Sequence, residues 1–242
     1  MRSLDPRNDM KPVDKGPSLG KLARYQLAKP DLLHRIGRHC SYCEEPAAPQ
    51  DFHVEHIYPK DPHPELERDW DNFLVACTSC NSYKNIHLGS ARQANLEQRY
   101  VWPHLENTIR AFNYFDDGRV EVALGLSPAL SQAAADTLDM IGAIKSPVVA
   151  TKYEEDVAYD GMQKREEMWK IASTNRVDYL ASNGLFKPTS VALNASKMGH
   201  FSIWMEVFQD RPEVRSELIR AFKADPNCFD PVTTAPVPKG RL

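Results

Sequence analysis

Four of the five cysteines fall into two short pairs, Cys40-Ser-Tyr-Cys43 and Cys77-Thr-Ser-Cys80. Two C-x-x-C pairs suit tetrahedral Zn²⁺ better than disulfides in a reducing compartment, and a paired redox role is the plainer alternative. A closed four-thiolate site leaves no open coordination position, so this zinc is expected to be structural. Between the pairs lie His53-Val54-Glu55-His56-Ile57-Tyr58-Pro59 and Asp69-Trp70-Asp71-Asn72-Phe73-Leu74-Val75, and the second pair continues into Asn81-Ser82-Tyr83-Lys84-Asn85. A carboxylate, an imidazole and amide oxygens in this order supply oxygen ligands for a hard cation and a group that titrates near neutral pH.

This ordered set resembles the signature of HNH endonucleases, an acidic residue and histidine before Ile-x-Pro, then Asn, then Cys-x-x-Cys-Asn-x-x-Lys. The resemblance covers roughly residues 38–88. It implies a ββα-metal site and phosphodiester hydrolysis, which needs an activated water, a stabiliser for the charged phosphorane and help for the leaving 3′-oxygen. Glu55 and Asn81 are the expected ligands of the catalytic ion. Asn85 is one helical turn beyond Asn81 and shares its face, as a further ligand or a phosphate contact. His56 is the expected general base, and the resemblance assigns Asn72 to the loop that presents it. Adjacent strand residues point to opposite faces, so a strand end or turn must bring Glu55 and His56 into one site. Lys84 is expected to meet a phosphate from the helix, and Lys60 and Arg68 from the connecting loop. His53 reads as a packed histidine and His87 as a weaker metal candidate. The first ligand is Glu where the commoner family pattern has Asp, and the last is Asn where it has His. Oxygen-only donors favour Mg²⁺ or Mn²⁺ at the catalytic position.

The elements around these residues read as an α+β chain: a small zinc-stapled ββα module followed by a mostly α-helical region. Residues 1–20 look like an extended arm, 21–110 like the nuclease domain, 111–229 like a helical region suited to partner docking, and 230–242 like a flexible proline-rich tail. Residues 21–38 suggest a helix restarting near Pro30, and 88–110 suggest another. Phe112–Leu124 reads as a hairpin turning at Asp117-Gly118. Ser127-Pro128 opens a helix. Periodic apolar residues then mark helices around 162–181 (Trp169, Ala172, Val177, Leu180), 201–208 and 214–222.

The chain has 242 residues, a formal net charge of −3 and 42% hydrophobic residues. No apolar run is long enough to span a bilayer, and the polar first residues contain no secretory signal, so a cytoplasmic protein is expected. The weakly acidic balance means that DNA affinity comes from a local basic patch or from another chain. Segments such as Gly199-His200-Phe201-Ser202-Ile203-Trp204-Met205 also resemble HNH proteins of bacterial antiphage loci, the Septu-type nuclease subunits and retron-associated proteins. That resemblance implies a hetero-oligomer with an ATPase partner subunit. The competing readings are a catalytically silent zinc-knuckle adaptor and a stand-alone restriction-type nuclease.

Overall fold

The computed structural model describes residues 1–6, 24–89, 94–144, 147 and 155–242, without the side chain of residue 143. A single helical turn at Tyr25–Ala28 leads into α1 (Lys29–Ile36), with Pro30 in its first turn, where its missing N–H costs nothing. Next, β1 (Phe52–His56) pairs antiparallel with β2 (Phe73–Cys77), setting Glu55 opposite Leu74 and His56 opposite Phe73. The helix α2 (Thr78–Leu88) follows β2 without a break. Phe73, Leu74, Val75 and Ala76 are all buried, so β2 is covered on both faces and its sequence does not alternate. The buried stripe of α2 is Cys80, Lys84 and Leu88, one residue per turn.

After a short α3 (Leu96–Arg99), β3 (Phe112–Tyr114) and β4 (Val120–Val122) form the expected hairpin. Gly118 takes a φ of +82° at its turn and packs against the backbone of Met162. Ser127 caps α4 (Pro128–Met140) by accepting from the Leu130 N–H. The remaining helices are α5 (Glu155–Ala181), α6 (Pro188–Met198), α7 (Phe201–Val207) and α8 (Pro212–Ala221).

Two hydrophobic clusters result. The first joins α1, the β1–β2 pair and α2 to the hairpin, α4 and Ile144; the second joins α5 to α6, α7, α8 and Phe229. A boundary at residue 110 would cut the first cluster, because Ala111, Phe112, Val120, Ala134 and Met140 all belong to it. A buried polar knot spans the two clusters. Glu44 accepts from the N–H and Oγ of Ser202 at 2.9 and 2.8 Å, and its own carbonyl accepts from the His200 N–H at 3.1 Å. His39 reaches the Ser196 carbonyl, and Arg165 donates to that of Gly118.

Other expectations are corrected. Met1, Arg2, Ser3 and Leu4 are buried, with the Met1 amine donating to the Tyr114 hydroxyl and pairing with Glu44; residues 7–20 of the expected arm lie outside the described residues. The 230–242 segment is folded back rather than free: Arg241 bonds Glu106 and the carbonyls of Gln98 and Tyr100, while Lys239 bonds Asp225. Within 88–110, the described helical residues are the end of α2, α3 and one turn at Thr108–Arg110, because Trp102 and Tyr100 anchor the chain in the core as an irregular stretch. On α5 the expected inward face is only half right, since Ala172 is buried but Val177 is 63% exposed. No helix among the described residues is long and apolar enough to cross a membrane.

Candidate active site and structural metal centre

The four cysteine sulfurs lie within 4.8 Å of one another, and Cys43 Sγ is 3.8 Å from Cys77 Sγ. Zn–S bonds of about 2.3 Å in a tetrahedron require sulfurs about 3.8 Å apart. The donor set therefore fits zinc. The Cys77 N–H points at Cys40 Sγ from 3.4 Å. Contact with the other three sulfurs holds the Cys77 thiol far below its usual range, while the same contacts push Cys43 and Cys80 well up. Four thiolates this close repel one another, and a bound cation relieves that repulsion.

The first knuckle also serves the neighbouring site. The Ser41 N–H donates to the Val75 carbonyl on β2. Tyr42, inside the Cys40–Cys43 pair and buried, donates its hydroxyl to Glu55 Oε1 at 3.2 Å. The second contact on that oxygen is the Lys84 ammonium at 2.6 Å.

Glu55, His56, Asn81, Asn85 and Lys60 line one cleft of about 570 Å³ between β1, α2 and the loop after β1. His56 is the last residue of β1, and its ring is gripped edge-on by Tyr25 and Phe73 at centroid distances of 4.8 and 5.2 Å. Its Nε2 lies 2.9 Å from the Glu67 carbonyl. A carbonyl only accepts, so Nε2 carries the hydrogen and the neutral ring keeps its lone pair on Nδ1. Burial is the main cause lowering the His56 pKa, with Lys84 and Lys60 adding to it and the Glu67 carbonyl and Glu55 opposing. The base form thus extends to lower pH than in free histidine.

Asn72 does not line the cleft. It is buried beneath it, accepting from the Tyr58 N–H at 2.7 Å and donating to the carbonyls of Tyr58 and Leu66 at 3.0 and 3.1 Å. It thereby ties both ends of the loop that carries Glu67. Glu55 offers a carboxylate and Asn81 and Asn85 amide oxygens, a donor set that suits Mg²⁺ or Mn²⁺ with positions left for water and phosphate.

The expected phosphate contact by Lys84 is not what the structure presents. Its side chain is fully buried, paired with Glu55 and donating to the His56 carbonyl. It sits on the inward stripe of α2 between Cys80 and Leu88, a spacing legible in the sequence. Arg68 is exposed but absent from the cleft lining. His53, expected to be packed, is exposed, lines the cleft and contacts Thr78 Oγ1 at 3.1 Å; His87 packs near Tyr100 away from the cleft. Sequence reasoning missed Tyr42, Glu67 and Lys29. The first lies inside a metal knuckle, the second acts through its backbone, and the third comes from α1.

Comparison with known proteins agrees with this geometry. The HNH endonuclease family model matches residues 40–86. The Septu protein PtuB of Bacillus thuringiensis is 33% identical over 90 residues, which is 36% of this chain and 34% of that protein. The match therefore spans about a third of the relative's length. With the strand pair, the helix and the four-cysteine clamp in place over the matched residues, residues 40–86 carry an HNH endonuclease domain.

Proposed function

We propose that the protein is a metal-dependent endonuclease that hydrolyses DNA phosphodiester bonds, with Zn²⁺ on Cys40, Cys43, Cys77 and Cys80 and with Mg²⁺ or Mn²⁺ on Glu55, Asn81 and Asn85. The observation that carries the reading is the His56 ring, fixed through Nε2 by Glu67 and opening into the same cleft as Glu55 and Asn81. His56 Nδ1 takes the proton of a water as the water oxygen attacks phosphorus. The bond from phosphorus to the 3′-oxygen then breaks. A divalent ion in this cleft supplies charge neutralisation on the phosphorane and on the departing oxygen. Asn72 acts one step back, holding the loop, and Lys60 offers a cation at the cleft rim. A silent adaptor has no use for an oriented imidazole beside a carboxylate.

The likeness to the Septu protein PtuB supports a place in a bacterial antiphage system, as a cytoplasmic nuclease effector held beside an ATPase subunit. Partner capture from the native host, followed by mass measurement of the complex, tests that part.

For the chemistry, the test is His56→Ala in a plasmid-nicking assay with Mg²⁺ or Mn²⁺. Cutting is expected to vanish while elemental analysis still finds one zinc per chain. In the wild type, the acid limb of the rate profile is expected below the ordinary histidine value of about 6.5. Cutting at the wild-type rate by a clean preparation of the variant overturns the assignment.

A further inference from the structure

The chain is acidic overall, yet the surface beside the cleft is not. A second groove, of about 910 Å³, adjoins the first and shares Gln26 and Lys29 with it. Lys29, Arg38, Lys223 and the exposed His34 line it, and no carboxylate does among the described residues. Several cations elsewhere on the molecule are neutralised by carboxylates. Lys170 is matched by Glu166, Arg176 by Asp210, and Arg119 by Asp117 and Glu121. In the groove, among the described residues, Lys29 donates only to the carbonyls of Pro49 and Phe52, and Lys223 to that of His34. Arg38 is exposed and forms no ion pair among the described residues. Three positive charges facing one groove without counter-charge repel one another, an arrangement that an external polyanion relieves.

We propose that this groove is the track for the nucleic-acid backbone flanking the scissile bond, leaving the active cleft past Lys29 and running along Arg38 and Lys223. The inference rests on the nuclease reading and adds where the strand goes. It locates the basic patch that an acidic nuclease needs in order to grip phosphates. The continuity through Lys29 and on to Lys60 favours a polymer of evenly spaced phosphates over an acidic protein segment, which has no reason to continue into the metal cleft.

The test is binding without added divalent ion, read by fluorescence anisotropy on labelled single-stranded and duplex oligonucleotides of roughly 20 nucleotides. Arg38→Gln with Lys223→Gln is expected to reduce the slope of log K against log salt by roughly 1.4 for single strands or roughly 1.8 for duplex, so the value tells which form occupies the groove. At roughly 50 mM salt the loss is on the order of a hundredfold. The pair Arg110→Gln with Lys187→Gln removes the same charge from exposed positions outside the groove and is expected to change binding little. Because Lys223 makes one backbone bond, Arg38→Glu alone supplies a variant free of that contact; it is expected to weaken binding more than Arg38→Gln with an unchanged melting temperature. The proposal is overturned by an unchanged slope in the groove variants, by an equal loss in the control pair, or by a wild type that binds neither oligonucleotide. No cleavage is read, so failure here leaves the His56 experiment standing, and failure there leaves this one standing.

Discussion

The Lys84 ammonium lies 2.6 Å from Glu55 Oε1, with the two side chains 0% and 1% exposed. The pair joins the middle of α2 to the end of β1. It fixes the carboxylate that faces the candidate metal position, and the Tyr42 hydroxyl braces the same oxygen from the zinc knuckle. Removing one member of a buried pair strands the other charge, at a cost of about 3–5 kcal/mol. Lys84→Met is therefore expected to destabilise the protein by that amount in urea melts and to weaken Mn²⁺ binding. Adding Glu55→Gln is expected to recover more than half of the stability, because no charge is then left unpaired, while metal binding stays lost. Binding of metal-free oligonucleotide is expected to be unchanged. A drop in its salt slope by roughly 0.7–0.9 would mean that Lys84 meets a phosphate after all.

Asn72 tests how the base is held. Its three hydrogen bonds tie the end of the loop to Tyr58 at its start and to Leu66, the residue before Glu67, whose carbonyl faces His56. Asn72→Ala leaves those half-buried groups without their partner and is expected to cost about 1 kcal/mol of stability. Losses from such supporting partners run to about 10–100-fold in activity. We expect the loss in kcat, with KM for DNA and the zinc content preserved. A rise in KM at constant kcat would make Asn72 a substrate contact instead.

Three histidines remote from the cleft set an acid limit. Burial lowers the pKa of His39, His104 and His200 to about 4 each. The Nδ1 atoms of His39 and His104 are buried without a partner among the described residues, so a proton there would find none of them to bond. In the unfolded chain these groups titrate near 6.5. Above that pH both states are neutral and nothing is lost. Between about 6.5 and 4 the unfolded state binds the protons and the folded state does not, so stability falls as the pH falls. The slope is up to about 1.4 kcal/mol per pH unit for each histidine. Glu45 and Glu106, whose pKa values burial raises, act in the opposite sense and reduce the total. Urea melts from pH 7.5 down to 5 are expected to show this decline, flattened by roughly a third in His200→Asn. Asparagine tolerates the left-handed φ of +57° at that position. A stability independent of pH across this window would refute it.

Local spacing was enough for much of the site. Two residues between cysteines set a knuckle whatever surrounds it, and Asp117-Gly118 turns a hairpin because the turn is a property of neighbouring residues. The resemblance to the HNH signature implied that Glu55, His56, Asn81 and Asn85 share a site, and a strand end and one helical turn place all four along one cleft. Where side chains point across the fold was not local. Lys84 reads as a surface cation until β1 covers it. Tyr42 gains its partner only when the knuckle packs on β2. Lys29, Arg38 and Lys223 are far apart in sequence, and only the packing of α1 beside the end of α8 lines them along one groove. The short 1–4 segment and the proline-rich 230–242 segment carry no periodic signal, yet they are held by sets of long-range bonds such as those of Arg241 to Glu106, Gln98 and Tyr100. Which residue types lie within a turn or a knuckle of one another was therefore determined by the sequence alone. Burial, counter-charges and the faces shared by distant segments were decided by tertiary structure, because they depend on which surfaces exclude water together.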